Sequence, residues 1–121
     1  MAIIYAYKNR GFTKDFQILK ADSSVIIPQS NDKIRAVVGR VGRLGTALAD
    51  AQFSVDSDAD TDNGSSFSKN SPTSGKNRLR IDASDLTFDP GVYTLFLDYF
   101  DNADVGEWKN VDRQIFILED T

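Results

Sequence analysis

Asp56, Asp58, Asp60 and Asp62 alternate with small or polar residues and lead to Gly64. Alternating carboxylates ahead of a glycine are what a calcium loop uses, because the hard cation takes several oxygens around a tight turn. Counted from Asp58, Asp60 and Asp62 take the third and fifth ligand positions. The glycine then falls seventh instead of sixth, and Lys69 stands where the bidentate glutamate belongs. The stretch is predicted to be a solvated acidic loop with no specific metal site, of the kind that keeps a sheet edge from pairing with other chains. A small calcium-dependent adhesion domain using Asp56 to Asp62 is the alternative.

Gly39, Gly42 and Gly45 are three apart, with Arg40 and Arg43 between them. That is neither the dinucleotide fingerprint nor a phosphate loop, since no Gly-Lys-Ser/Thr follows. The stretch reads as a flexible connection between strands. Two arginines and a net charge of −4 do not make a nucleic-acid footprint. Sixteen of the eighteen acids are Asp, and most sit in turn-like settings such as Asp22, Asp32, Asp101 and Asp104, where the side chain bonds its own backbone. Trp108, placed in a turn between the last two strands, is read as a partner contact or half-buried packing before a sugar platform. A carbohydrate- or surface-binding module using Trp108 and nearby tyrosines is the second alternative.

The chain has 121 residues with no cysteine and no histidine, so triads, thiolate sites and histidine metal sites are absent. No enzyme and no cofactor are expected. No apolar run approaches a membrane span, and Met1 to Arg10 does not read as a leader. Hydrophobic residues make up 40% and charged residues 26%, the balance of one globular domain over 1–121. Bases gather in 1–49 and 69–80, acids in 50–68 and 81–121. Either the molecule carries one basic and one acidic face, or these segments interleave across a sheet and cancel locally.

The elements that must position these residues are strands. Phe12 to Leu19, Ser24 to Ile27, Lys33 to Arg40, Ala51 to Asp56, Arg78 to Asp82, Val92 to Phe100 and Arg113 to Leu118 each carry apolar alternation or a β-branched run. Ala51, Phe53 and Val55 should point inward. Val92 to Phe100 is apolar on both faces, as expected of a central strand. Ala83 to Leu86 can form one helical turn capped by Asp82. Residues 56–77 read as a long polar loop with Phe67 its only large apolar residue. About seven short strands with polar turns predict an all-β, immunoglobulin-like β-sandwich.

Asp89-Pro90-Gly91-Val92-Tyr93 leads into the strongest strand. Gly91 can take the corner, and Tyr93 sits where a tyrosine corner would turn its hydroxyl back to the backbone between Asp85 and Asp89. The order Gly45-Thr46-Ala47-Leu48-Ala49-Asp50-Ala51, Leu79-Arg80-Ile81, Pro90-Gly91-Val92-Tyr93, Tyr99-Phe100-Asp101 and Ile115-Phe116-Ile117 resembles immunoglobulin-like domains of tailed-bacteriophage virion proteins. It is most similar to the N-terminal domain of baseplate upper proteins, over about residues 33–119. The resemblance implies a virion structural protein in the baseplate, tail, neck or head decoration, which assembles with other virion proteins and with copies of itself. Neither nucleic acid nor membrane is an expected partner.

Residues 1–10 are an N-terminal arm or an edge strand. Ile3, Tyr5 and Tyr7 are costly to leave in water. They are expected to contact a neighbouring subunit, with Lys8 and Arg10 facing acidic residues between 98 and 112, in an assembly sensitive to salt.

Overall fold

The computed structural model describes residues 3–20, 22–41, 48–57, 64–102 and 108–120. Among these residues ten strands run in the order β1 (Ile3–Tyr7), β2 (Phe12–Phe16), β3 (Ile18–Leu19), β4 (Val25–Ile26), β5 (Lys33–Val41), β6 (Leu48–Asp56), β7 (Ser66–Ser68), β8 (Asn77–Ile81), β9 (Gly91–Phe100) and β10 (Trp108–Glu119). One sheet has the order β1-β10-β9-β5-β6 and the other β2-β8-β7, with β3 and β4 as a separate small hairpin. Taking β2, β5, β6, β7, β8, β9 and β10 as strands B, C, C′, D, E, F and G reproduces B-E-D on one sheet and G-F-C-C′ on the other. The molecule is an immunoglobulin-like β-sandwich.

Alternation explains which side chains are inside. Ile34, Ala36 and Val38 of β5 are buried, as are Tyr93, Leu95, Leu97 and Tyr99 of β9 and Phe116 and Leu118 of β10. They meet Phe16, Phe67, Leu79 and Ile81 from the second sheet in one core. Phe116 lies against Phe12 with ring centroids 6.0 Å apart and edge-on to Phe53 at 6.1 Å. These aromatic pairs give the sheets a fixed relative position as well as buried area.

Several sequence expectations need correction. The expected strand from Phe12 to Leu19 breaks at Gln17 into β2 and β3. Ala51 is exposed, not inward. The pairing of β5 with β6 shifts register between Val38 and Gly39, and this bulge turns Ala51 over while Phe53 and Val55 stay buried. β6 begins at Leu48, within the Ala-rich patch, and β10 begins at Trp108, well before Arg113.

The span 56–77 is not all loop. It contains β7, whose Phe67 is buried opposite Leu79 of β8. Its acidic stretch at residues 58–63, like residues 42–47 of the glycine-rich connection, lies outside the described residues. The turn at Ala83–Asp85 is a 3₁₀ turn, with the Asp82 side chain accepting from the Ser84 amide.

At the corner before β9, the Tyr93 hydroxyl donates to the Asp89 carbonyl at 2.6 Å. The Tyr93 ring stands edge-on to Phe88 at 5.0 Å. Gly91 is already the first residue of β9, and a Cβ there would meet the Tyr93 ring at 3.6 Å, an ordinary contact. The hydroxyl satisfies a carbonyl at the point where the chain turns into its central strand. Tyr93→Phe is therefore expected to lower stability by about 1 kcal/mol, the worth of one hydrogen bond, while keeping the ring packing. Urea unfolding with an unchanged slope and a lower midpoint is the expected reading; an unchanged midpoint would show that the corner bond is idle.

Candidate functional site

β1 runs parallel to β10 in the protein's own sheet, Ile3 opposite Ile115 and Tyr7 opposite Glu119. It is an edge strand of the sheet, one of the two forms expected of residues 1–10, so its backbone pairs with its own chain and the expected strand pairing with a neighbouring subunit is corrected. The reason lies in its alternation: Ile4 and Ala6 are buried in the core, and only that register hides them. The same alternation turns Ile3, Tyr5 and Tyr7 outward, at 46%, 58% and 42% exposed.

Cross-strand register places those side chains in rows on the outer face of the five-stranded sheet. Tyr5 pairs with Ile117 and Ile117 with Val92, which is 66% exposed. Ile3 pairs with Ile115, Ile115 with Thr94, and Thr94 with Gly39. Neither row carries a charge. The next row is Arg113, Phe96, Val37 and Ser54. The row after it is Asn110, Asp98, Arg35 and Asp56, and the last is Trp108, Phe100 and Lys33. Trp108, expected in a turn, is thus on the same face as Ile3, Tyr5 and Tyr7, at the opposite end of β10.

The two ends of the face differ in how their apolar groups are covered. Phe96 and Val37 are buried although they point away from the core, and the Arg113 guanidinium lies 5.0 Å from the Phe96 ring centroid. The Arg35 guanidinium stacks on Trp108 at 4.2 Å and also donates to Asp98 at 2.8 Å. Lys33 lies over Phe100 at 5.4 Å, and Phe100 packs on Trp108 at 5.6 Å. Cations on aromatic faces gain from the ring quadrupole while their stems cover apolar surface. With Arg35 on its face, Trp108 is a poorer platform for a stacked sugar. At the other end Arg10 lies 6.0 Å from the Tyr7 ring centroid, and among the described residues Val92, Tyr5, Ile3 and the half-buried Ile115 and Ile117 carry no such cation.

A second cluster holds the Trp108 end in place. Asp32, just before β5, is buried, and its carboxylate accepts from the Tyr99 hydroxyl at 2.5 Å, the Gln29 amide at 2.8 Å and the Asn102 amide at 3.0 Å. Lys69 donates to the carbonyls of Gln29 and Ser30 at 3.2 and 3.1 Å and to that of Asp32. Burial pushes the Asp32 carboxyl up, but the bonds from Tyr99, Gln29 and Asn102, with the Lys69 charge nearby, outweigh it and leave it below the usual carboxylate range. Burial and the facing Asp32 carboxylate push the Tyr99 phenol up. A concavity of about 400 Å³ opens beside this cluster, between Lys20, Val25, Ile27, Gln29 and Asp101. With three donors on its carboxylate, Asp32 is committed to holding the loop.

Sequence reasoning placed Ile3, Tyr5, Tyr7 and Trp108 without showing that they share a face. It missed Val92, Ile115, Ile117, Phe96, Arg35 and Arg113 as parts of it. The signal was the double-sided apolar run in β9 together with Ile115-Phe116-Ile117-Leu118, since a strand apolar on both faces has to hide both.

No protein-family model matches the chain, and no curated protein does. Among solved structures, it is similar to the crystal structure of the ZIG-8–RIG-5 IG1–IG1 heterodimer, monoclinic form. The likeness covers 99% of this chain and 82% of that one, at 14% identity and a TM-score of 0.41.

The lowered Asp32 carboxyl gives a signed expectation. Its contribution to stability is complete above its unfolded value near about 4 and is lost as pH falls through its folded value. Asp32→Ala, which strands the Tyr99 hydroxyl and two amides, should cost about 3 kcal/mol at neutral pH. The difference between variant and parent should shrink on acidification below pH ~4. Denaturant midpoints measured from neutral to acid pH check this; a gap independent of pH would remove the carboxylate from the account.

Proposed function

We propose that this is a non-enzymatic assembly protein, a bacteriophage virion structural component that works by docking its five-stranded sheet onto other virion proteins. The observation that carries the assembly reading is the uncovered end of the outer face. Two adjacent rows, Tyr5–Ile117–Val92 and Ile3–Ile115–Thr94, are uncharged across three strands and leave large apolar side chains in water. Monomeric proteins seldom leave contiguous patches of this kind without a partner. At the other end of the face Arg113, Arg35 and Lys33 lie over Phe96, Trp108 and Phe100, whereas in these two rows no cation covers Tyr5, Ile3 or Val92 among the described residues. Placement in a virion rests on the sequence resemblance in the strand order and in Pro90-Gly91-Val92-Tyr93.

Quantitative mass spectrometry of purified phage particles tests this. The expected result is the chain at many copies per particle, and loss of Val92→Arg from particles although the variant folds with an unchanged circular dichroism spectrum. Val92 is largely exposed, so the substitution leaves the core intact. Particles that lack the chain would remove the virion placement. Particles that carry Val92→Arg at the parental copy number would remove the face from assembly.

A further inference from the structure

The geometry points to a second copy of this chain as the occupant of the uncovered face, in a two-fold, face-to-face dimer; this inference rests on the assembly reading above. The register of β10 supplies the argument. Phe116 lies midway between Arg113 and Glu119, and midway between Ile115 and Ile117. Ile115 and Ile117 point outward with the residues they pair with. A two-fold axis in the plane of the interface, perpendicular to the strands and level with Phe116, exchanges these positions. It sets Ile117 of one copy over Ile115 of the other, Tyr5 over Ile3 and Val92 over Thr94. The same operation sets Glu119 opposite Arg113, and by symmetry it does so twice. The face is thus complementary to itself in both shape class and charge, which an isologous interface requires.

The overlap is centred on the uncovered rows: Ile4 and Tyr93 stand level with Phe116, so each copy meets the other over residues 113–119 of β10 and 91–95 of β9. The rows Tyr5–Ile117–Val92 and Ile3–Ile115–Thr94 would form its dry centre. Glu119 and Arg113 would lie at its rim, where charge sets orientation more than affinity. The opposite orientation, with the strands of the two copies codirectional about an axis along β10, would set Arg113 level with Arg113 and Glu119 level with Glu119 and is disfavoured by like charge.

Sedimentation of the full chain at micromolar to tens of micromolar tests the inference. The parent is expected at twice the 13.4 kDa chain mass. Val92→Arg should be monomeric, with its dissociation constant raised at least about tenfold. Arg113→Glu and Glu119→Arg should each weaken the dimer, and the double variant should restore it, because the swapped charges meet again only across this two-fold. Unfolding midpoints recorded beside each variant identify any that fail to fold, and the Glu119→Arg and double-variant pair keeps the test open if Arg113→Glu does so. A monomeric parent, a dimer indifferent to Val92→Arg, or a double variant no better than the singles would overturn the dimer. If the parent is monomeric while Val92→Arg is still lost from particles, the face serves a different protein and only the dimer falls. If Val92→Arg is retained in particles, the assembly reading itself falls.

Discussion

The antiparallel register of β9 between β10 and β5 decides what meets on both faces of the larger sheet. Strand side chains alternate strictly, so the register that sends Tyr93, Leu95, Leu97 and Tyr99 into the core must send Val92, Thr94, Phe96, Asp98 and Phe100 out. A slip of one residue would bury Asp98 and expose Leu97. The inner set is paid off by the second sheet. The outer set has no sheet to pack on, and the rest of the structure can be understood as the ways in which that face is handled.

At one end the chain covers the face itself. Arg113 lies on Phe96, Arg35 on Trp108, and Lys33 on Phe100, while Arg35 is also held by Asp98. Arginine suits this place because its flat guanidinium can stack on a ring and still donate in its plane. These contacts also show how the charge blocks resolve. Arg35 of the basic first segment pairs with Asp98 of the acidic last one, so those two blocks interleave there. Arg78 pairs with Asp15, an acid within the basic first segment. Both pairs are partly open to solvent, so their role is to set side-chain position more than to add stability.

The ends of β5 and β9 have to stay together for this cover to hold, and a buried acid does that. Asp32 gathers a phenol and two amides, and Lys69 ties the carbonyls of the same loop. Removing such an acceptor leaves donors stranded in a low-dielectric setting, which costs more than the bonds themselves are worth. Lys69 stands where a calcium loop would need its glutamate; in the fold it is a clamp reaching back across the chain to residues 29–32.

Local pattern alone was enough for the all-β class, for Phe53 and Val55 as inward residues of β6, for Asp82 as a cap and for Tyr93 as a corner residue. Each of these follows from side-chain chemistry acting over a few neighbouring positions. Three features were decided by the tertiary structure. Ala51 faces out because a bulge against β5 breaks an alternation that the sequence carries without interruption. Residues 3–7 lie in the protein's own sheet because β10 offers a free edge and the core has room for Ile4 and Ala6, and neither fact is local. Asp32 reads as one more turn aspartate, and only the packing of Tyr99, 67 positions away, makes it the buried acceptor of the cluster. Likewise Ile3, Tyr5 and Tyr7 were legible as a costly apolar segment, and Trp108 as a lone aromatic. That they share one face with Val92 and Ile117 depends on pairing between strands far apart in the chain, and period-two alternation tells a side chain's face only once its partner strand is known.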